Sequence, residues 1–486
     1  MKLREIRNIL GTLERSTRAS VDLSEREPIG YSIDSRSTRA GELFFAIKGE
    51  NYDGHRFVAD ALARGALGAV VTHEFLASTS IESSGAGAWL LPVADTLAAL
   101  QAIAASVRSS WRGSEVAITG SAGKTSTKEL TALALARIGR VNKTVGNLNN
   151  DYGLPLSILR MESDGLHATD FDYAVLEMGM NHKGEIARLA KIAPPDVGVV
   201  INVAPVHLEF FSSIEEIADA KAELVLGIKS KGAAVLNADD DLVAKMKDLR
   251  ADLRVTTFGI DREAHVRARG LEDAGLAGTR FTLETRRGEV GVTVPLFGRH
   301  QVYNALAAAA VADLYEVPLD AIGAAFGEAS PPKMRGEVLR FAPGFTLVDD
   351  SYNSNPRAFE EMVCTIAAAR GFERKIVVAG EMLELGETRS ELHRAAGRRV
   401  AELGIDLVIG VRGLARELID GAREAGMTAE SAVFCETPQE AAEIVAREVQ
   451  AGDLMLVKGS RGVRTEEVVE RMKQLYGRPS AGTPRS

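Results

Sequence analysis

The chain has 486 residues, of which 45% are apolar and 26% charged, and 58 Lys plus Arg against 67 Asp plus Glu leave a net charge of −9. A chain of this length outgrows one hydrophobic core, so roughly two to four domains are expected, and its acidic balance argues against a general nucleic-acid or anionic-membrane surface. Cys364 and Cys435 are its two cysteines, too few for a disulfide framework or a Cys-rich metal site, which points to a reducing compartment.

Met1-Lys-Leu-Arg-Glu-Ile-Arg mixes charges where a signal peptide needs an apolar stretch, and no apolar run approaches the length of a membrane span. A cytoplasmic protein without membrane insertion is expected. Residues 1–87 read as a short first α/β domain with strand candidates at 42–47 and 69–72. Further on, strand candidates at 115–119, 172–177, 197–203, 233–237 and 254–258 alternate with helical segments. That rhythm predicts a mostly parallel sheet covered by helices. Residues 280–285 and 289–294 alternate apolar and polar side chains around Arg286-Arg-Gly288, the pattern of an antiparallel hairpin that extends the central sheet.

After an Ala-rich helix at 304–314, Ser330-Pro-Pro-Lys-Met stops helical structure. The central domain is therefore expected over 88–329 and a third over 330–486. Strand candidates at 345–349, 375–379, 406–410, 432–435 and 453–458 make that third domain Rossmann-like. The tail at 477–486, rich in Gly, Pro and Ser, reads as frayed.

The strongest local signal is Val116-Ala-Ile-Thr-Gly120-Ser121-Ala122-Gly123-Lys124-Thr125-Ser126, a strand candidate running into a helix with Leu130, Leu133, Ala134 and Ile138 on one side. Glycines let backbone N–H groups approach phosphate oxygens, the helix N-terminus favours anions, Lys124 supplies charge and the Thr125 hydroxyl suits Mg2+. The position five before Gly123 is Ile118, so this is a shortened form of the general phosphate-loop pattern; the bland alternative is a tight turn with a surface lysine. Glu177 and His207 follow strand candidates on the edge that carries this loop, where ligands bind in doubly wound sheets. Either could reach metal or phosphate, or be a hydrogen-bonded strand-end Glu and a buried neutral His. Lys221 shares a helix with the inward Ile214, Ile217, Ala218 and Leu224, and pattern alone makes it a solvated lysine.

Larger stretches carry a resemblance. The phosphate loop, Gly146-Asn147-Leu-Asn149-Asn150, Leu176-Glu-Met-Gly-Met-Asn-His-Lys-Gly-Glu-Ile186, His207-Leu-Glu with Lys221 beyond it, Gly298-Arg-His, Asn304-Ala-Leu306 and Asp349-Asp-Ser-Tyr-Asn-Ser-Asn-Pro356 resemble the Mur ligases in order and spacing. The resemblance covers nearly the whole chain. Within that family the Gly-Asn-Leu-Asn-Asn, Glu-Met-Gly and Asp-Asp-Ser-Tyr-Asn segments are similar to members that add D-alanyl-D-alanine. Asp34-Ser35-Arg36, the segment from Gly41 to Gly49, and Asp53-Gly-His55 are similar to the UDP-sugar-binding domain of the later-acting members.

The resemblance implies three α/β domains: a small N-terminal UDP-binding domain, a central phosphate-loop domain with a mostly parallel sheet, and a C-terminal Rossmann-like domain. It implies that Gly120 through Ser126 bind ATP, with Lys124 and Thr125 on the phosphates and Mg2+, while Glu177 and His207 serve a second Mg2+. Lys221 would be carbamylated near that metal, which needs a neutral amine and hence a site that lowers its pKa. Asn304, Arg335 and Asp350 would contact nucleoside and phosphates, with Tyr352 and Asn355 in the same loop. Ser35, Arg36, Asp53, His55, Asn147, Asn149 and Asn150 would bind the UDP substrate. The implied partners are UDP-N-acetylmuramoyl-tripeptide and D-alanyl-D-alanine, with no nucleic acid, and the implied chemistry is ligation by a monomer through an acyl phosphate in peptidoglycan precursor synthesis. A folylpolyglutamate-type or cyanophycin-type ligase shares the phosphate loop without needing the Asp34-Ser-Arg domain, and a non-catalytic nucleotide-dependent switch would not need Lys221, Glu177 and His207 together.

Overall fold

The structure, a computed structural model, describes residues 1–11, 15–16, 25–49, 52–78, 89–205, 209–477 and 480–481. Three sheets organise it. The first has five strands in the order Arg15–Ser16, Trp89–Val93, Gly68–Thr72, Leu43–Phe45, Tyr31–Ser32. All neighbours are parallel except the edge pair of Arg15–Ser16 with Trp89–Val93. Trp89–Val93, fully buried along its length, lies past residue 87, so this sheet takes its last strand from beyond the first expected boundary. A continuous apolar run such as Trp-Leu-Leu-Pro-Val has no periodicity with which to announce a strand.

The central sheet has nine strands in the order Gly288–Val294, Thr279–Thr285, Val266–Asp273, Arg254–Gly259, Ala233–Asn237, Val197–Val200, Ser114–Thr119, Tyr173–Glu177, Val141–Lys143. From Val266–Asp273 to Val141–Lys143 every pairing is parallel, and the two pairings at the other end are antiparallel. The hairpin extends the sheet as its alternation predicts. Val116, Ala117 and Ile118 are wholly buried, as a strand covered by helices on both faces requires. The chain leaves this middle strand towards Val141–Lys143 and Tyr173–Glu177 on one side, then crosses to Val197–Val200 on the other. The loop at residue 120 therefore opens where the winding reverses, the place at which such sheets have a crevice.

The third sheet runs Ala432–Cys435, Leu407–Val411, Arg374–Gly380, Asp453–Lys458, Thr346–Asp350, Glu337–Arg340, Ser480–Ala481. Its first five strands are parallel and its last two pairings antiparallel. Part of the tail expected to fray thus adds a short edge, with Leu339 opposite Ala481.

The helix Thr96–Ser110 joins the first two sheets. Asp95 caps it by accepting from Leu97 and Ala98 N–H at 2.8 and 3.0 Å, and near its end buried Arg108 reaches Glu115 Oε2 at 2.6 Å and Asp196 Oδ2 at 2.9 Å. This ion cluster pins the helix to the amino edge of the central sheet. Among the described residues no helix is long and apolar enough to cross a membrane.

Candidate active site

Strand Ser114–Thr119 passes into helix Lys124–Leu135 across residues 120–123. Gly123 has φ +84°, and a Cβ there would lie 2.2 Å from Asn304 Oδ1. Glycine suits both the left-handed backbone and the close approach of the Asn304 side chain from the facing helix, Arg299–Leu314. Asn304 is itself fixed, donating to Gln301 Oε1 at 2.9 Å and accepting from Thr127 Oγ1 at 3.2 Å. The other wall of the loop is residues 201–204, which have left the sheet three residues earlier than their apolar run suggested. There Asn202 accepts from Ala122 N–H at 3.0 Å and donates to its carbonyl at 3.3 Å, while Ser121 Oγ accepts from Ala204 N–H at 2.9 Å.

Lys124 Nζ donates to Gly120 O at 2.7 Å. Burial lowers its pKa; the Glu177 carboxylate opposes that shift and the Arg335 guanidinium adds to it. Glu177, at the end of its strand and 1% exposed, is held on every polar atom that faces the loop. Its Oε2 accepts from Thr125 Oγ1 at 3.0 Å, its Oε1 from Asn149 Nδ2 at 2.8 Å, and its N–H donates to Thr144 Oγ1 at 3.0 Å.

Lys221 corrects the pattern-based reading. It is 2% exposed rather than solvated, on helix Ile214–Gly227 among buried Ile217, Ala218, Leu224 and Val225. Its pKa is lowered well below the usual lysine range by burial first and by the Lys124 charge second. Among the described residues none accepts a hydrogen bond from its amine. His207 lies outside the described residues.

Arg335 and Tyr352 stack, with the guanidinium carbon 4.1 Å from the ring centroid. Asp350 Oδ2 accepts from Lys458 Nζ at 2.6 Å, and the same amine donates to Asn353 O at 3.0 Å. Asn355 caps the helix Pro356–Ala368 through Ala358 N–H at 2.9 Å, a structural task that its place in the motif did not disclose. Gly298-Arg-His meets this region: His300 Nδ1 is 3.6 Å from Glu361 Oε2.

In the first domain, Asp34 binds Arg36 through Nε at 2.9 Å and Nη2 at 2.7 Å, with Ser35 buried between them. His55 Nδ1 meets Asp53 Oδ1 at 2.7 Å while Nε2 accepts from Thr72 N–H at 3.0 Å. Both ring nitrogens are thus committed within the protein, and Asp53 also caps the turn through His55 N–H at 3.0 Å. Asn147 is exposed at the tip of its loop. Asn150 turns inward and accepts from Gly153 N–H at 3.0 Å.

The structure brings the phosphate loop, Thr125, Glu177, Asn149, Lys221, Asn304 and Arg335 around one crevice. Ser35, Arg36, Asp53 and His55 make their contacts within the first domain. Sequence reasoning missed Asn202, Thr144 and Lys458. The last stands beside Gly459 at the carboxyl end of a parallel strand, the end at which ligands bind in such sheets.

The donor set fits Mg2+. Thr125 and Glu177 offer hard oxygen ligands, and Mg2+ binds through one or two carboxylates with waters and substrate phosphates supplying the rest. Among the described residues no group of three or more His, Cys, Asp or Glu gathers into a metal cluster, at this site or at any other.

Comparison with known proteins agrees with this geometry. The Mur ligase family catalytic domain matches residues 29–108, the Mur ligase middle domain residues 118–312, and the Mur ligase glutamate ligase domain residues 334–461. The UDP-N-acetylmuramoyl-tripeptide--D-alanyl-D-alanine ligase of Escherichia coli K12 is 34% identical, covering 91% of this chain and 93% of its own length. The protein of that name from Mycobacterium tuberculosis H37Rv is 36% identical over 90% of this chain and 91% of its own. Among solved structures, a MurF of Acinetobacter baumannii superposes with a TM-score of 0.83 at 30% identity, covering 97% of this chain and 98% of that one. The MurF ligase of Thermotoga maritima in complex with ADP gives 0.76 at 29% identity over 92% and 97%. With a phosphate loop walled by glycine-specific packing, and family domains matched along all three sheets, the chain belongs to the Mur ligase family.

Proposed function

We propose that this chain is the member of the family that joins D-alanyl-D-alanine to UDP-N-acetylmuramoyl-tripeptide with ATP, in peptidoglycan precursor synthesis. The observation that carries this reading is the Glu177 carboxylate, one oxygen on the phosphate-loop hydroxyl of Thr125 and the other on Asn149 of the Gly-Asn-Leu-Asn-Asn loop. One buried side chain thereby links the nucleotide site to a loop suited to recognising peptide groups. Asn side chains offer two donors and an acceptor, and unmet partners on a wrong substrate are costly.

Thr125 and Glu177 would hold Mg2+, with His207 and a carbamylated Lys221 completing the set, and the metal would offset repulsion between a carboxylate and the triphosphate. The lowered pKa of Lys221 supports the carbamate: a neutral amine attacks CO2 and loses a proton, turning a buried base into an anion. Lys124 and Arg335 supply fixed positive charge to the phosphates, and Asn304 bounds the loop that cradles them. The tripeptide's terminal carboxylate oxygen attacks the γ-phosphorus and ADP leaves. The dipeptide amine then attacks the acyl carbon, loses a proton and expels phosphate. Residues of the second and third domains share this crevice, so closure of one on the other completes it.

In the same reading, the first domain ends after Trp89–Val93 and binds the UDP end, the central domain follows, and the third begins at residue 330. The enzyme works as a monomer in the cytoplasm, where ATP is supplied. The test measures ADP release with UDP-N-acetylmuramoyl-tripeptide plus D-alanyl-D-alanine, and separately with UDP-N-acetylmuramoyl-dipeptide plus L-lysine or meso-diaminopimelate. Turnover is expected with the first pair alone. Robust turnover with the dipeptide pair would reassign the substrate and leave the ATP chemistry intact, and substrate-independent hydrolysis would favour a nucleotide switch.

A further inference from the structure

Lys128 lies one turn beyond Lys124 on the phosphate-loop helix and is 1% exposed. Burying an ammonium is expensive unless its donors are met, and a methionine would fill the same space without that cost. Its donors are met by two neighbours: Thr144 O at 2.8 Å, and Glu129 Oε1 at 3.1 Å. The first of these is informative. Thr144 is fully buried at the root of the Gly-Asn-Leu-Asn-Asn loop, and its hydroxyl accepts the Glu177 N–H at 3.0 Å. Asn149 further along that loop returns to the Glu177 carboxylate at 2.8 Å and accepts from Gly179 N–H through its own carbonyl at 2.8 Å. A closed circuit results, running from the phosphate-loop helix through Lys128 to Thr144, on to Glu177 and Asn149, and back to the helix through Thr125.

We propose that Lys128 is a positioning residue that couples nucleotide binding to binding of the UDP-peptide, by locking the helix that receives phosphate to the loop that receives peptide. The inference rests on the functional reading above. A ligand that fixes the helix fixes the loop with it, so the second ligand meets an ordered site, and the effect is reciprocal.

The test titrates a non-hydrolysable ATP analogue with Mg2+ into the full-length enzyme by calorimetry, with and without saturating UDP-N-acetylmuramoyl-tripeptide. The native enzyme should bind the analogue at least about fivefold more tightly when the peptide substrate is present. Lys128→Met should bind the analogue alone within about threefold of native and lose most of that enhancement. A lysine that only supports packing would lower the melting temperature and leave the ratio unchanged. Thr144→Val keeps the carbonyl that Lys128 uses and removes the link to Glu177. It should also lose the enhancement, and it decides the matter if Lys128→Met does not fold. Full coupling in either folded variant, or no coupling in the native enzyme, overturns the proposal. A native enzyme that binds neither ligand overturns instead the function on which it rests.

Discussion

Lys221 of the central domain and Lys458 of the third are buried to almost the same degree, 2% and 3% exposed, yet their charges are treated in opposite ways. Lys458 ends a strand and gives its ammonium to the Asp350 carboxylate and the Asn353 carbonyl. Lys221 has no carboxylate beside it among the described residues and feels the repulsion of Lys124. The first arrangement ties the lysine to the loop that carries Asp350 and Asn353. The second discourages a cation, which is what the proposed carbamate requires of its amine.

The sharpest way to break this contrast is Lys221→Met. Ligation should fall roughly a hundredfold to a thousandfold, the scale of losing one preorganised electrostatic group, and acetate should restore part of it. In CO2-free buffer the same variant should melt higher than the native protein near neutral pH. The pKa of Lys221 is lowered in the fold, so the unfolded chain binds the extra proton and the native fold is penalised until pH climbs towards the ordinary lysine value of about 10.4. The advantage of methionine should therefore shrink as pH rises. Unchanged ligation would return Lys221 to a packing role.

Lys458→Met should move stability the other way. Removing one partner of a buried pair strands the other, and with Asp350 part-exposed the loss should be about 2–3 kcal/mol by chemical denaturation. Asp350→Asn in the same protein should recover part of it. A Lys458→Met variant as stable as native would mean that the pair carries no structural weight and that the contrast with Lys221 is lost.

The smallest effect is expected at the opposite edge of the central sheet, where a buried acid tests whether charge is costly there too. Burial pushes Glu115 up from 4.5 to about 7 against the pull of Arg108. A raised pKa means that the folded protein holds the proton more firmly. Its contribution is complete below about 4.5 and is lost as pH rises through about 7. Glu115→Gln should flatten that part of the stability profile, read as denaturation midpoints across the interval. A native profile without any fall would show that Arg108, with Lys229 on the neighbouring Asp196 at 2.9 Å, neutralises the site.

Much of the layout was legible because buried parallel strands are apolar runs separated by helices. Ala233–Asn237, Ala432–Cys435 and Asp453–Lys458 begin and end where their composition says they should. Val141–Lys143 is too short to show a period, and Val266–Asp273 carries charges on half of its positions, with a register shift between Arg269 and Glu272. Neither could be read as a strand. At the site, a motif indicates which residue types are present and not where their donors go. His55 looks like a ligand in Asp53-Gly-His and spends both nitrogens on its own domain. Lys221 was recoverable in principle: it stands four residues after Ile217 and three before Leu224, on the buried stripe of its helix. Treating lysine as polar by default concealed that.

The contact between Gly123 and Asn304 has a consequence for how this chain can drift. A methyl group at 123 would stand 2.2 Å from Asn304 Oδ1 on a backbone at φ +84°, so a side chain at that position is strained and drives the Asn304 amide out of its place. Shortening residue 304 first would clear the space but would release Thr127 and Gln301 from their partner. Each single change damages the loop, so the two positions act as one unit: either residue can be exchanged only at the expense of the other's contacts.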